Sequence, residues 1–475
     1  MGLRVSKISQ DQLSEDPYLR NDVKFHSFID AKGWNLFDAE EGASIKLKYI
    51  LNNDYNNFNF EDDTEYKGVP TGNEYIDQDG KIIASQIITK DNHPNRLKYL
   101  VSNDNILISS VRLAKTPALH FPNENLSDHV FSNGYYIFNV NSEWNIKFIL
   151  YVLRLEKIKS VLDNHIYRGI GISSYKQEDL LRIEIPIVPK EEQDKAYKSI
   201  IKIEKKINNL KSRLIGHQDI MTDVLFSHFD IEKKSVKEVD ESNKLNVGSD
   251  LAYRNQNIRI SFRWNKIAPI QDILYKNTNC VRRLGEFITD TRNGWSPRCR
   301  ESDDSYMVFG VSSINKSGVI SYDDIKYTDK ERKNLDTFFA EKGDLFISRG
   351  NTVELVALAS IVKELPEDKD VIFPDLFIRV GIDTTRLNKE YLVYLINSDI
   401  GRYYFKYSSK GKNQSMVKIS QDELNDFFLP IPTIDEQDSI VNTINTELDK
   451  RKEIEKKINS YRDQINTIIE STLLG

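Results

Sequence analysis

Cysteine is scarce in this 475-residue sequence, long apolar runs are missing, and positive charge is not in excess. The two cysteines, Cys280 and Cys299, show no CxxC spacing. That excludes a disulfide framework and a zinc ribbon, and it suits a reducing cytoplasm. No apolar stretch reaches the roughly 18 residues of a membrane span; Phe148–Leu153 and Leu355–Val362 are core-sized pieces. No secretory signal is expected. The formal net charge is −6 and the pI near 5.8, which argues against a protein that coats nucleic acid by bulk electrostatics. Signatures of chemistry are missing as well. The sequence holds no Asn-Pro-Pro-aromatic or Asp-Pro-Pro-Tyr tetrapeptide and no GxxxxGK[ST] phosphate loop. Gly169-Ile170-Gly171 is a bare GxG outside any βαβ context. Glu65-Tyr66-Lys67 is a short acid–x–Lys string of the kind 72 acidic residues produce by chance. Neither supports a catalytic or cofactor site in this chain.

What is present is a sequence written twice. Phe25 and Leu47–Ile50 match Phe262 and Leu284–Phe287 at an offset of 237 residues. Asp79-Gly80-Lys81-Ile82 matches Ser317-Gly318-Val319-Ile320 at 238, and Asn105–Ser109 matches Asp344–Ser348 at 239. Phe131 and Ile137 fall on Phe373 and Arg379 at 242. Gln177–Leu180, Ile185-Pro186 and Glu192-Gln193-Asp194 match Gln421–Leu424, Leu429-Pro430 and Glu436-Gln437-Asp438 at 244. An offset that only creeps upward in the order of both halves marks two homologous domains, not a short-period array. Each half opens with short β-like runs bounded by Gly, Asn, Asp and Ser, such as Lys81–Ala84, Ile106–Ser109, Val319–Ser321 and Leu345–Ser348. Each closes with a helical segment (Trp144–Leu162; Lys389–Tyr404), a polar loop and a proline-marked strand. Each unit reads as α+β.

After Pro189 and Pro432 the apolar period changes to that of a helix. Acids at Glu191, Glu192, Asp435 and Glu436 suit a helix N-terminus. Ile200, Ile203, Ile207, Leu210, Leu214, His217 and Met221 alternate spacings of three and four, as do Ile454, Ile458, Tyr461, Ile465 and Ile468, giving two coiled-coil seams. The string Ile-Glu-Lys-Lys-Ile-Asn occurs at 203–208 and 454–459, an offset of 251 against 244 at Glu-Gln-Asp, so the second helix gains one heptad. Two seams in a duplicated chain are expected to pair antiparallel about a pseudo-two-fold axis. Helices of about 30–35 residues would span roughly 45–50 Å. Residues 230–257, acidic and poor in apolar residues, read as a linker. His217 is expected to pack at the seam edge.

The duplicated strand motif (Asn105–Ser109; Gly343–Ser348) and the exit signature Leu429-Pro430-Ile431-Pro432-Thr433-Ile434-Asp435-Glu436-Gln437 resemble those of specificity subunits of type I restriction–modification enzymes. The first exit, Ile185-Pro186-Ile187-Val188-Pro189-Lys190-Glu191-Glu192-Gln193, has one more residue between its prolines. The second half fits the pattern better, since Asn105 replaces the usual turn aspartate. The resemblance implies two α+β target-recognition domains (1–189 and 258–432), a first spacer helix (190–229), a linker (230–257) and a second spacer helix (433–475). It implies that each domain reads half of a bipartite site on double-stranded DNA, and that the chain is not itself an enzyme. It also implies two docked methyltransferase subunits, which bind S-adenosylmethionine and methylate adenine, with restriction or translocase subunits as further partners. Alternatives are the specificity chain of a system with fused cleavage and methylation, or a coiled-coil scaffold without a DNA role.

Charge is locally uneven. Gly401–Gln421 holds Arg402, Lys406, Lys410, Lys412 and Lys418, no acid, and Tyr403, Tyr404, Phe405 and Tyr407 among them. In this stretch Lys410, Lys412, Asn413, Gln414 and Lys418 are the candidates for base edges and phosphates. Arg292, Arg298 and Arg300 surround Gly294-Trp295-Ser296-Pro297, and Arg349 and Asn351 follow the Leu345–Ser348 strand. In the first half the matching candidates are Arg112 and Lys115 after their strand, and Tyr167, Arg168, Ser174 and Lys176 in the loop 165–176. Neutralising Lys410 and Lys412 is expected to weaken DNA binding and flatten its salt dependence.

Overall fold

Alternation of β-branched and polar residues, punctuated by glycine and asparagine, gives short strands in both halves. The computed structural model describes residues 25, 28–29, 33–61, 64–168, 174–242, 262–300, 303–413 and 416–475. It divides into two compact units, Met1–Ser212 with Lys456–Gly475, and Arg213–Glu455.

The first unit is built on a four-stranded antiparallel sheet in the order Leu51–Asn53, Tyr135–Val140, Asn105–Ser109, Ala118–Leu119. The second repeats it as Ile288–Asn293, Phe377–Ile382, Leu345–Ser348, Ala359–Ile361. The registers of the two central strands agree, Ile137 lying opposite Leu107 and Arg379 opposite Phe346, while the edge strand of the second unit carries a bulge between Ile288 and Asp290. The central strands are continuous apolar runs because both faces are covered, and Ile106–Ile108 and Phe346–Ile347 are fully buried. A second sheet in each unit carries a parallel pair, Tyr66–Val69 with His129–Ser132 and Tyr306–Phe309 with Val371–Ile372. Gln86–Ile88 and Ile325–Thr328 flank these pairs antiparallel, and the first unit adds Asn56–Asn57 and Leu97–Leu100. The matched glycines Gly80 and Gly318 sit at φ of +80° and +82°, a left-handed turn that a side chain resists.

Each expected closing helix is two helices: Ile146–Arg154 then Glu156–Asn164, and Lys389–Asn397 then Asp399–Ser408. Leu155 and Ser398, in extended conformations, break them. Asn145 and Asn388 cap the first of each pair by accepting from two backbone N–H groups.

The exit signature acquires a structural reason. Gln193 and Gln437 are buried, their Oε1 accepting the backbone N–H of Asn145 (2.7 Å) and Asn388 (2.8 Å). The same amides donate to the carbonyls of Val188 (2.8 Å) and Pro432 (2.9 Å), and the next residues, Asp194 and Asp438, accept from the asparagine amides at 2.7 Å. The Gln-Asp pair therefore ties the outgoing helix to the cap of the preceding one, twice.

The spacer segments differ from the sequence reading. The first helix runs Lys190–Lys211 and stops, and a separate helix, His217–His228, begins after Gly216 in extended conformation. Ile203 and Ile207 are buried in the first unit, as are Ile458 and Ile465. The expected continuation through Leu214, His217 and Met221 instead packs in the second unit. There the Thr222 hydroxyl accepts the Asp399 N–H (2.9 Å), and Gln218 donates to the Asp399 carboxylate (2.7 Å). His217 is met by Arg451 Nε at 3.3 Å, and burial pushes its imidazole pKa down. The other spacer segment is one helix of 41 residues, Ile434–Leu474. Part of the expected linker is also structured. Lys233–Glu241 is a helix with Val236 buried, and Asp240 accepts from Lys406 (3.1 Å) and from the Tyr407 hydroxyl. Residues 243–257 of that expectation lie outside the described ones.

Candidate nucleic-acid interface

The candidates of the second unit come from segments some sixty residues apart in sequence, and the fold brings Asn351, Lys410, Lys412, Asn413 and Lys418 onto one small sheet, with Arg349 next to it. Gly350–Asn351 pairs antiparallel with Met416–Lys418, which pairs antiparallel with Lys410–Asn413. Gly350 lies opposite Lys418, and Lys418 opposite Lys410. The Ile419 N–H donates to the Arg349 carbonyl (2.9 Å) and continues the ladder. Arg349, Asn351, Lys410 and Lys418 thus share one surface element. Lys418 is exposed, and Arg349 and Asn351 are half-buried. Gly350 permits the close approach, since a Cβ there would sit 3.1 Å from Leu376 and 3.3 Å from Lys418.

The first unit repeats this construction. Val111 is bridged to Ser174, and Ser174 to Arg168, both antiparallel. The Tyr175 N–H donates to the Ser110 carbonyl (3.1 Å), the counterpart of Ile419 to Arg349. Arg112, Arg168 and Ser174 therefore occupy the positions of Asn351, Lys410 and Lys418. Arg112 stacks over Tyr167, its guanidinium 4.4 Å from the ring centre, and its Nε donates to the Asp163 carbonyl (2.6 Å). Lys115 and Lys176 are exposed nearby in the chain, and the Lys115 N–H donates to the Asn73 side chain (2.7 Å).

A glutamine fixes each small sheet to its main sheet. Gln177 Nε2 donates to the Asn53 side chain (2.6 Å), and the matched Gln421 donates to the hydroxyl of the matched Thr291. This places the exposed Arg292, next to Thr291, on the strand tied to the basic ribbon. Arg298 lies elsewhere. Its carbonyl accepts from Thr328 (3.1 Å), and it lines a cavity of about 310 Å³ with Cys299, Arg300 and Lys330. Arg300 is engaged by Asp329 (2.8 Å) and Asp304 (3.2 Å).

The Gly401–Gln421 patch needs correction over its helical part. Arg402 is buried and donates to the carbonyls of Val356 (2.5 Å) and Glu354 (3.3 Å). Burial lowers its pKa to about 10. Lys406 is held by Asp240 at 3.1 Å, and Tyr404, Phe405 and Tyr407 are buried. Asp399–Ser408 is an internal amphipathic helix whose polar groups satisfy neighbouring carbonyls and an acid, so its basic and aromatic interleaving is core chemistry. The side chains of Lys412 and Asn413, and Gln414 as a whole, lie outside the described residues.

Sequence reasoning missed the acids beneath the ribbons. Asp179, fully buried, lies 2.9 Å from Arg168, and Glu423, 5% exposed, lies 2.6 Å from Lys410. The signal was the doubled Gln177–Leu180 and Gln421–Leu424, used there only for alignment. Among the described residues no group of three or more His, Cys, Asp and Glu is placed to hold a metal ion, and no helix is long and apolar enough to cross a membrane.

Comparison with known proteins defines the class. Residues 31–215 match the family model described as Type I restriction modification DNA specificity domain. The chain is 26% identical over 196 residues to the Type I restriction enzyme StySPI specificity subunit of Salmonella potsdam, covering 40% of each chain. It is 24% identical over 170 residues to the Type I restriction enzyme EcoEI specificity subunit of Escherichia coli, covering 34% of this chain and 27% of that one. Among solved structures, the HsdS subunit from Thermoanaerobacter tengcongensis aligns over 91% of this chain and 96% of its own, with 16% identity and a TM-score of 0.34. The S subunit of the Type-I restriction-modification system from M. genitalium aligns over 90% and 95%, with 12% identity and a TM-score of 0.34. The chain is a relative of type I restriction–modification specificity subunits, as its motifs implied, with the specificity domain in residues 31–215. The matched stretches span 40% and 27% of the two curated relatives. The family model finds its match in the first half, where the motifs were the less regular.

Proposed function

We propose that the chain is a non-catalytic, cytoplasmic DNA-recognition subunit that reads a bipartite duplex target, one half-site with each unit. One observation carries this reading: the same three-segment sheet recurs in both units with different side chains at matched positions. Arg112 and Ser174 stand in one where Asn351 and Lys418 stand in the other. A shared scaffold presenting different donors and acceptors is what reading two different half-sites requires. The contacts assigned to DNA are Asn351 and Lys418 with Arg349 and Arg292 in the second unit, and Ser174, Lys176 and Lys115 beside Arg112 and Tyr167 in the first. The Ile434–Leu474 helix, about 60 Å long at 1.5 Å per residue, is fit to act as a spacer. Docked adenine methyltransferase subunits supply S-adenosylmethionine and much of the positive charge that a chain of net charge −6 lacks. Restriction subunits are further partners.

The test is direct binding of duplex DNA by the full chain. Lys418→Met is expected to weaken binding to all sequences and make the slope of log K against log salt shallower by about 0.9. Asn351→Ala is expected to cost about 1–3 kcal/mol at one base position and relax the preference there. A scaffold without a DNA role would show neither change.

A further inference from the structure

Both units join the outer strand of the ribbon to a buried carboxylate on the short helix that follows. Lys410 Nζ lies 2.6 Å from Glu423 Oε1, with the lysine half exposed and the acid 5% exposed. Arg168 Nη2 lies 2.9 Å from Asp179 Oδ2, and that carboxylate is fully buried. These are the same pair. Arg168 and Lys410 are matched by their bridges to Ser174 and Lys418, and Asp179 and Glu423 by their place in the short helices Gln177–Leu181 and Gln421–Asn425. The identities differ in a compensating way. The first unit uses the longer cation with the shorter acid, and the second the shorter cation with the longer acid, so the reach is conserved while both residues change. Glu423 is held further, its Oε2 accepting the Ser420 N–H (2.9 Å) and the Ser420 hydroxyl, and its carbonyl accepting from Tyr404 (2.9 Å). Burial alone would raise the Glu423 carboxyl, but the hydrogen bonds from Lys410 and Ser420 carry it below its usual range. The carboxylate is therefore ionised beneath the ribbon, opposite a cation that geometry directs toward it.

We propose that Asp179 and Glu423 are positioning residues that latch the two ribbons, and that Arg168 and Lys410 spend their charge on these acids and not on DNA phosphate. This rests on reading the ribbon faces as DNA surfaces. The latch fixes the strand carrying Ser174 or Lys418 against the segment carrying Arg112 or Asn351, so that the reading side chains keep one register. It also keeps one cation per unit out of the sequence-independent attraction, which favours discrimination over bulk affinity.

The experiment measures binding of the full-length chain to a mixed-sequence duplex across a salt series. Glu423→Gln releases Lys410, and the slope of log K against log salt is expected to steepen by about 0.9. Adding Lys410→Met to Glu423→Gln returns the slope to the wild-type value. Asp179→Asn gives the same steepening from the first unit, independently of how Glu423→Gln folds. The double exchange Lys410→Arg with Glu423→Asp, which transplants the first unit's pair, keeps the wild-type slope. Amide exchange of 410–413 and 416–418 is expected to quicken in Glu423→Gln and to stay slow in the double exchange. A slope unaltered or shallower in both Glu423→Gln and Asp179→Asn overturns the latch. If Lys418→Met still flattens the slope in that case, the DNA-surface reading survives alone. If Lys418→Met also changes nothing, that reading falls and takes the latch with it.

Discussion

Asn105 and Asp344 stand at the same turn and do the same work with different chemistry. Asn105 Oδ1 accepts the Ser102 N–H (2.8 Å), and Asp344 Oδ2 accepts the matched Glu341 N–H (2.9 Å). What differs is the other side. The Asn105 amide donates to Asp54 (2.8 Å) and Asn139 (2.9 Å), whereas Asp344 faces Arg379 at 3.4 Å. The departure at Asn105 was visible in the sequence, but its reason was not, because Asp54 lies 51 residues away and only the fold brings it close. Asn105→Asp would set a carboxylate against Asp54 at a fully buried position. We expect a loss on the order of 1–3 kcal/mol or more, read by urea denaturation of the full chain, with Asp344→Asn costing less. Equal stability of Asn105→Asp and wild type would show that the turn tolerates an acid. The basic residues teach a similar lesson. Arg402 and Lys406 looked like Lys418 in sequence; burial separates Arg402, and the ion pair with Asp240 separates Lys406, because composition does not say which face of a helix points inward or what meets it.

At the scale of elements, the duplicated strands and their order were legible because each short apolar run recurs with its turn residues at nearly constant offset. The boundaries of the helical segments were less so. The seam through Ile200, Ile203 and Ile207 continues in spacing to Met221, yet the chain leaves the helix after Lys211 and packs His217–His228 in the other unit. Heptad spacing reports an apolar stripe and not what covers it. The Gln-Asp signature, in contrast, was found as a repeat and explained only by the fold. Gln437→Ala leaves the Asn388 N–H and the Pro432 and Arg386 carbonyls without their partner, at a cost of about 1–3 kcal/mol. Faster amide exchange across Lys389–Asn397 is the expected readout, matched by Gln193→Ala in Ile146–Arg154. An effect no larger than that of the exposed Asn442→Ala would contradict the role given to this amide.

At the scale of the whole molecule, doubling is the property that the proposed function uses. One fold made twice presents two small ribbons whose scaffolds agree and whose side chains do not. The sequence showed the doubling, but it spread its candidate contacts over loops and helices alike. The fold gathers Asn351, Lys410 and Lys418 on one sheet with Arg349 next to it, sets Arg298 apart, and puts an acid under each ribbon. The central claim is that each unit reads its own half of a split target. The most direct measurement maps adenine methylation across the genome of a host carrying this chain with the methyltransferase of its system, for wild type and for Asn351→Ala with Lys418→Met. The account expects a mark on two short blocks around a fixed gap, with the double variant relaxing one block and leaving the other unchanged. A contiguous motif, a variant that alters both blocks alike, or no mark with the methyltransferase shown active beside another specificity subunit would contradict it.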